Sequence, residues 1–264
     1  MSYFGEVELA RSTAIGEIVL AHHRSRSCLE VHRHPQPYIS VCLDGGYLED
    51  FGTGVDQVSR GDLFIHPAHE AHANDMDGRG ATILNLQVSL SIQRLYDVAG
   101  AHGARVRTRC SNESLRRVEE LLTARTRRPL LFELVGVADI LLPELDSRMR
   151  PGAKHDPKLE RAAAAIDADR EHSWTLGELA AIAGYHRVYF AGKFRAEFGC
   201  PPGEYVRRSR MREALRLICL EGASATDAAH ASGFFDSAHM TNSFRKAAGL
   251  KPGSLKRQTN PRKP

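Results

Sequence analysis

Residues 228–252, AAHASGFFDSAHMTNSFRKAAGLKP, repeat the pattern of residues 179–202, LAAIAGYHRVYFAGKFRAEFGCPP. The two copies lie at an offset of 49 residues in their first part and of 50 in their second, with one residue inserted beside Phe235. The matching positions are Ala180/Ala229, Gly184/Gly233, Phe194/Phe244, Gly199/Gly249 and Pro202/Pro252. The chain therefore contains the same short unit twice.

Each copy has the residues of a helix-turn-helix unit. A small alanine lets two helices cross closely, and a glycine supplies the left-handed residue that ends the first helix. The second helix then holds the core with apolar residues four positions apart, Phe190/Phe194 and Met240/Phe244. We expect Asp236 to cap the second helix of the second copy, whereas the equivalent His186 is a poorer cap.

The two copies are joined by residues 202–221, PGEYVRRSRMREALRLICLE. As about 18 helical residues this segment measures ~27 Å, close to the ~34 Å between successive major-groove turns on one DNA face. One chain could therefore read two adjacent grooves. The arginines of the segment either contact phosphates or form internal ion pairs, for example with Glu213, and the sequence leaves both open.

Charge is unevenly distributed along the 264 residues. Residues 158–264 hold 18 Lys+Arg against 11 Asp+Glu, while residues 1–157 hold 18 against 21. Only the C-terminal part is thus expected to meet a polyanion. Five scattered cysteines without a C-x-x-C pair indicate reduced thiols, and the absence of a signal peptide or a spanning apolar run predicts a cytoplasmic protein without membrane contact.

Residues 1–110 consist of short segments rich in branched and aromatic residues, separated by turn-forming residues at 44–46, 52–54 and 77–80. This spacing is typical of a β-sandwich or small barrel. Residues 111–149 then change to a helical period, and residues 129–148 are apolar on more than one side. The second apolar side predicts either a homodimer contact or a helix enclosed by its own protomer.

Residues 158–257 closely resemble the AraC/XylS-type transcription regulators, through TLGELAAIAGYHRVYFAGKFRAEFGCPPGEYVRRSRMREALRLI (175–218) and TDAAHASGFFDSAHMTNSFRKAAGLKPGSL (226–255). The resemblance implies contacts to base edges from Val188, Ala191, Gly192, Ser237, Ala238, Thr241 and Asn242. It implies contacts to phosphates from Arg187, Lys193, Arg195, His239, Arg245 and Lys246. The chain departs from the family at Ala225 and Ala228, where isoleucine is usual, and at Leu255, where tyrosine is expected.

Two stretches of the first part are rich in histidine. His32 and His34 are two residues apart on a predicted strand, so both point to one face. Gly61, Pro67, His72 and Asn74 resemble the second motif of the cupins, which implies that His32, His34 and His72 occupy the positions of a three-histidine metal site. Zinc, nickel or manganese would suit such ligands. The carboxylate usual in that site is absent, since Tyr38 or Ile39 falls there, and His66 or His69 is a candidate substitute.

These patterns predict an α+β multidomain chain: a cupin-like β-barrel (1–110) that senses a small molecule or metal, a helical dimerisation segment (111–149), and an all-α tandem helix-turn-helix domain (158–257). The predicted function is a non-enzymatic transcription regulator or activator. It would bind double-stranded promoter DNA as a homodimer and contact RNA polymerase. The alternatives are a metal-dependent cupin enzyme with an accessory helical domain, a barrel that binds an organic ligand or nothing, and a DNA-bending protein without effector.

Overall fold

Two long strands, β4 (Tyr38–Asp50) and β7 (Ala71–Val88), form the centre of an antiparallel sheet in the N-terminal half of the chain. The structure is a computed structural model that describes residues 6–13, 16–89, 105–123, 130–146 and 156–252. It divides into two compact units, with the described residues up to 146 in the first and those from 156 onward in the second.

Each central strand pairs with different neighbours along its length. The order is β1-β2-β7-β4-β6-β8, with β3 added on β7 and β5 on β4. The remaining strands are β1 (Glu6–Thr13), β2 (Gly16–His23), β3 (Cys28–Arg33), β5 (Val55–Ser59), β6 (Asp62–His66) and β8 (Val106–Arg109). The predicted antiparallel sheet is confirmed. Over the described ranges no backbone hydrogen bonds pair β1 with β8, so closure of the sheet into a cupin-like barrel is not confirmed.

Two of the predicted turns are wrong, because residues 44–46 and 77–80 lie inside β4 and β7. Gly45 (φ 72°) and Gly80 (φ 79°) adopt left-handed backbone there, beside shifts in the β4–β7 register. A Cβ on Gly45 would overlap the Gly80 carbonyl oxygen. The glycines thus let two continuous strands bulge and approach each other. The predicted turn at 52–54 does separate β4 from β5.

Helices α1 (Asn112–Thr123) and α2 (Leu130–Asp146) complete the first unit. Ser111 caps α1 by accepting a hydrogen bond from the Ser114 amide at 3.1 Å. Among the α2 side chains whose burial is described, these apolar residues are almost fully buried within a single chain: Leu134, Val135, Val137, Ala138, Ile140, Leu141, Leu142 and Leu145. This burial fits enclosure of that part of the helix by its own protomer, and the homodimer contact stays a prediction.

The second unit contains only helices among its described residues. They are α3 (Pro157–Ala168), α4 (Leu176–Ala183), α5 (Arg187–Phe198), α6 (Pro202–Leu220), α7 (Ala225–Ala231) and α8 (Ser237–Ala248). Helices α4 and α5 form the first predicted helix-turn-helix, and α7 and α8 the second. The 19 residues of α6 span about 28 Å, and α6 contacts α5, α7 and α8.

The turn of the second helix-turn-helix is held against the end of α3. Gly233 has φ 80°, and a Cβ on it would overlap the Arg170 carbonyl oxygen. That oxygen also accepts a hydrogen bond from Arg210 Nε of α6 at 2.8 Å. The second unit therefore fixes its second turn through backbone contact with an element that precedes the first turn.

The remaining composition-based expectations concern cysteines and membranes. All five cysteines lie in described ranges, and no disulfide joins any of them; Cys28 is exposed and the other four are buried. Among the helices that the structure describes, none has the length and apolar character needed to cross a bilayer.

Replacing Gly233 with alanine should destabilise the helical unit by more than about 3 kcal/mol, because left-handed backbone strain adds to the overlap with the Arg170 carbonyl. Gly249→Ala is the matched control: its φ is 65°, but nothing lies within 4 Å of its Cβ position, so about 1–2 kcal/mol is expected. Urea unfolding followed by fluorescence of Trp174, the single tryptophan, reports on this unit. Equal losses in the two variants would contradict the contact.

Candidate nucleic-acid interface and effector pocket

Helices α5 and α8 each bury one side and leave the other open. Phe190 and Phe194 anchor α5, and Met240 and Phe244 anchor α8, all four being 0% exposed. The residues predicted to contact base edges lie on the opposite sides. Val188, Gly192, Ala238 and Asn242 are exposed, and Ala191, Ser237 and Thr241 are half-buried. Both helices thus keep these positions accessible.

The start of α8 is capped as predicted. Asp236 accepts a hydrogen bond from the His239 amide at 2.6 Å, which satisfies one of the free amides of the first turn. One turn further on, Asn242 Oδ1 accepts a hydrogen bond from Arg245 at 2.7 Å. The Asn242 carbonyl keeps a second lone pair, so the amide can still form the two hydrogen bonds that adenine requires.

Helix α5 begins less favourably. His186 makes no side-chain cap hydrogen bond, as expected from the sequence. Gly192 lies within the helix, where glycine costs roughly 1 kcal/mol relative to alanine, yet nothing within 4 Å would obstruct a Cβ there. Packing within the chain therefore does not require this glycine, and close approach of another molecule would.

The residues predicted to contact phosphates differ in their surroundings. Arg187, Arg195, His239, Arg245 and Lys246 are exposed. Lys193 is half-buried; its ammonium lies 3.7 Å from the Asp156 carboxylate and over the rings of Tyr185 and Tyr189, at 5.7 and 5.4 Å from their centroids. Lys193 must leave these partners, or share them, to reach a phosphate.

The arginines of α6 form internal interactions, one of the two possibilities that the sequence leaves open. Arg216 pairs with Glu213 and Glu221 at 2.8 Å each. Arg207 and Arg208 pair with Glu204, Arg212 lies 3.5 Å from Asp167, and Arg210 donates to the Arg170 and His172 carbonyls. The helix itself contains five arginines against Glu204 and Glu213, so it keeps a net positive charge alongside these ion pairs.

The sheet unit contains a cavity of about 70 Å³. Among the described residues its lining is mostly neutral: Glu17, Val19, Ala21, His23, Leu29, His32, His34, Tyr38, His72, Asn74, Ile83, Asn85 and Gln87. The volume can hold a metal ion with several waters or a small organic molecule.

Three histidines converge at this cavity. His32 on β3 lies opposite His72 on β7, and His34 follows the end of β3. One ligand nitrogen from each lies within 4.8 Å of the other two. A tetrahedral zinc site holds such atoms ~3.4 Å apart, so small ring movements would close the three on one ion.

The protonation of the rings suits metal binding. Nδ1 of His32 and Nδ1 of His72 donate to the carbonyls of Glu30 (2.8 Å) and Glu70 (3.3 Å), which can only accept. His72 Nε2 therefore accepts from the Tyr38 hydroxyl at 3.1 Å, and this hydroxyl must turn away before Nε2 can bind an ion. Burial, together with neighbouring imidazoles, lowers the pKa of His34 to about 4 and that of His72 to about 3. Both rings are therefore neutral near pH 7.

A buried carboxylate lies beside one histidine of the cluster, His72. Glu49 on β4 pairs in register with Asn74 and is 1% exposed. Its Oε1 lies 3.9 Å from His72 Nε2 and from His66 Nδ1, while its Oε2 has no hydrogen-bond partner. Burial raises the pKa of Glu49. Sequence reasoning missed this residue because sheet register, and not motif spacing, brings it to the histidines.

The two candidate substitute ligands lie outside the histidine cluster. His66 is buried, and its Nε2 is hydrogen-bonded to Ser40 Oγ at 2.9 Å. His69 is exposed with φ 64°, and its amide donates to the His34 carbonyl at 2.8 Å. His69 therefore holds the backbone of a cluster residue and does not contribute its ring.

Residues 179–258 match the family model described as a helix-turn-helix domain. The chain is 30% identical over 106 residues to an AraC-like transcription regulator from Streptomyces antibioticus, covering 40% of this chain and 35% of that protein. It is 43% identical over 60 residues to the transcriptional activator RhaS of Pectobacterium carotovorum, covering 23% and 22%. The C-terminal unit therefore contains a helix-turn-helix domain, and it is similar to the corresponding part of AraC-like transcription regulators.

The sequence similarity to these relatives covers only part of each protein, because the chain spans about a third of the length of the first relatives it matches. Among solved structures, ToxT from Vibrio cholerae covers 93% of this chain and 99% of its own at a TM-score of 0.42 and 9% identity. The relatives named above are regulators of transcription, so they give no support to the alternative of a metal-dependent enzyme.

Gly192→Ala should stabilise the helical unit by roughly 0.5–1 kcal/mol, because the helix gains propensity and no clash arises. The same change should weaken binding to duplex DNA about tenfold, since a methyl group then separates α5 from the groove. Gly203→Ala in α6, also unobstructed, controls for helix propensity and should leave DNA binding unchanged. Trp174 fluorescence and an electrophoretic mobility assay measure the two effects, and a stabilised variant with unchanged DNA affinity would exclude this role.

Proposed function

We propose that this chain is an AraC-type transcription regulator. Its helical unit binds double-stranded promoter DNA, with α5 and α8 entering successive turns of the major groove. Its sheet unit is a cupin-like sensor that binds a small neutral effector or a divalent metal ion in the cavity between β3 and β7. Binding of the effector changes promoter occupancy through differential affinity for two arrangements of the protein.

The observation that carries this proposal is the pair of helix-turn-helix elements on one helix, α6. Each element buries an apolar pair and leaves the predicted readers accessible on the other side. Any surface helix exposes one face, so the specific support is that the exposed faces of α5 and α8 carry the predicted readers at matching positions of the repeat. The ion-paired arginines of α6 support its role as a spacer, and the exposed cations lie instead on α5 and α8.

The proposed regulator acts as a homodimer and contacts RNA polymerase at the promoter. Within the helical segment, α1 is the proposed dimer contact, because its Leu121 and Leu122 are only half-buried. Two chains on one operator would present four reading helices, which is the usual reason for repeated half-sites in such operators.

For the sensor, the three-histidine cluster favours a first-row divalent ion such as zinc, nickel or manganese. His32, His34 and His72 would hold it through neutral imidazole nitrogen. Glu49 lies beside His72 and would balance part of the charge from the protein side. A bound ion would supply a Lewis-acidic centre to which an oxygen or nitrogen of a small effector could attach.

Asn242→Ala should weaken binding to a selected operator by about 1–3 kcal/mol while sparing random duplex DNA, because a bidentate amide contact discriminates adenine from the other bases. The operator would be obtained by in vitro selection with the full chain. Fluorescence anisotropy at fixed salt gives both affinities.

Asn112→Ala, at the exposed start of α1, is the matched control and should change neither affinity. An equal loss of Asn242→Ala on operator and random DNA would show that Asn242 does not read a base. Failure of the wild-type chain to select any sequence would reject the proposed function itself.

Untagged protein stripped with chelator should take up about one zinc ion per chain, and His34→Gln should lower that affinity more than about 100-fold by removing a ligand. His69→Gln, which alters an exposed ring next to the cluster, is the control and should bind like the wild type. Isothermal titration and elemental analysis measure uptake. Absence of zinc, nickel and manganese binding in the stripped protein would eliminate the metal and leave an organic effector.

A further inference from the structure

Phe235 is the most exposed of the large apolar residues that the structure describes, at 84%. It lies in the turn where the second copy of the repeat has one residue more than the first. Exposing a phenylalanine ring to water is unfavourable, because burial of the ring would contribute favourable hydrophobic free energy. Neither the packing of the turn nor the capping of α8 uses this ring.

The backbone on both sides of Phe235 is fixed, so the ring cannot turn inward. Before it, Phe234 is 4% exposed, and its amide donates to the Ala229 carbonyl at 2.9 Å. After it, Asp236 is extended (φ −154°) and caps α8 through the His239 amide. The backbone conformation of the turn therefore keeps the Phe235 ring exposed.

The position of Phe235 places it next to the residues that meet base edges. It lies two residues before Ser237, the first residue of α8, and recognition helices present their N-terminal residues to the floor of the major groove. The adjacent Asp236 carboxylate is held at the positive end of α8, which reduces its repulsion of phosphates.

We infer that Phe235 contacts the 5-methyl group of a thymine at the outer edge of the half-site read by α8. The inference rests on the proposed function and adds a specificity-determining residue to it. The thymine methyl is the one apolar group that the major groove offers, and a phenyl ring is a suitable partner for it. Because α5 has no inserted residue at its turn, the thymine requirement applies to one half-site only.

The test uses an operator selected with the full chain, in which each thymine of the α8 half-site is replaced in turn by deoxyuridine. This replacement removes only the methyl group. At one position it should weaken wild-type binding about fourfold, the equivalent of the ~0.8 kcal/mol of one buried methyl-sized group. With Phe235→Ala, binding to the unmodified operator should fall by at least the same factor, and deoxyuridine at that position should have no further effect.

Leu176→Ala, at a 41% exposed apolar residue at the start of α4, is the matched control and should keep the full deoxyuridine effect. Trp174 fluorescence should show unchanged unfolding for Phe235→Ala, since an exposed ring is removed. Suppose that deoxyuridine has no effect on wild-type binding at any position, while Asn242→Ala still weakens binding to the operator and spares random DNA. That result would overturn the Phe235 contact and leave the proposed function intact.

The alternative contact partner of the exposed Phe235 ring is a protein, such as RNA polymerase. In that case Phe235→Ala would bind all operators like the wild type and lose activation in a purified transcription assay. That result, too, would overturn the thymine contact.

Discussion

The second helix-turn-helix, formed by α7 and α8, is positioned by one close main-chain contact, between Gly233 and the Arg170 carbonyl. The same oxygen accepts from Arg210, and Ser209 of α6 is hydrogen-bonded to both Arg170 and Asp167. Because a carbonyl cannot yield in the way a flexible side chain can, the turn is placed with little freedom. A spacer helix alone would set only a distance, whereas this contact also restricts the orientation of α8 relative to α3 and α6.

The sequence predicts most of the helical unit, because each of its signals is local. Alanine, glycine and an apolar pair four residues apart recur at fixed spacing, and Asp236 is a capping residue next to a helix. The sheet was harder to predict. β1, β5 and β8 carry few apolar residues, and β8 is a strand because it pairs with β6. Glycines at 45 and 80 indicate turns locally but bulge two long strands once these pair.

In the candidate sites, too, some residues can be predicted from local sequence and others are brought together only by the fold. The spacing alone predicts that His32 and His34 share one side of a strand, whereas His72 is implied by the resemblance to the cupin motif; in the structure its register opposite His32 adds it to the cluster. Glu49 could not be found that way, because its approach to His72 depends on the pairing of β4 with β7. Likewise the pairing of Arg212 with Asp167 crosses from α6 to α3, whereas that of Arg216 with Glu213 was within reach of helical spacing.

The two reading helices differ in chemistry, and this divides their contributions to DNA binding. Helix α8 is capped and carries Asn242, an amide that can distinguish bases. Helix α5 lacks a side-chain N-cap, has the small residues Ala191 and Gly192 on its accessible face, and also contains Lys193 and Arg195. Small residues and cations permit close approach and attract phosphates without discriminating sequence. Under the proposed function, α8 therefore supplies most of the selectivity, while α5 contributes affinity that falls with rising salt.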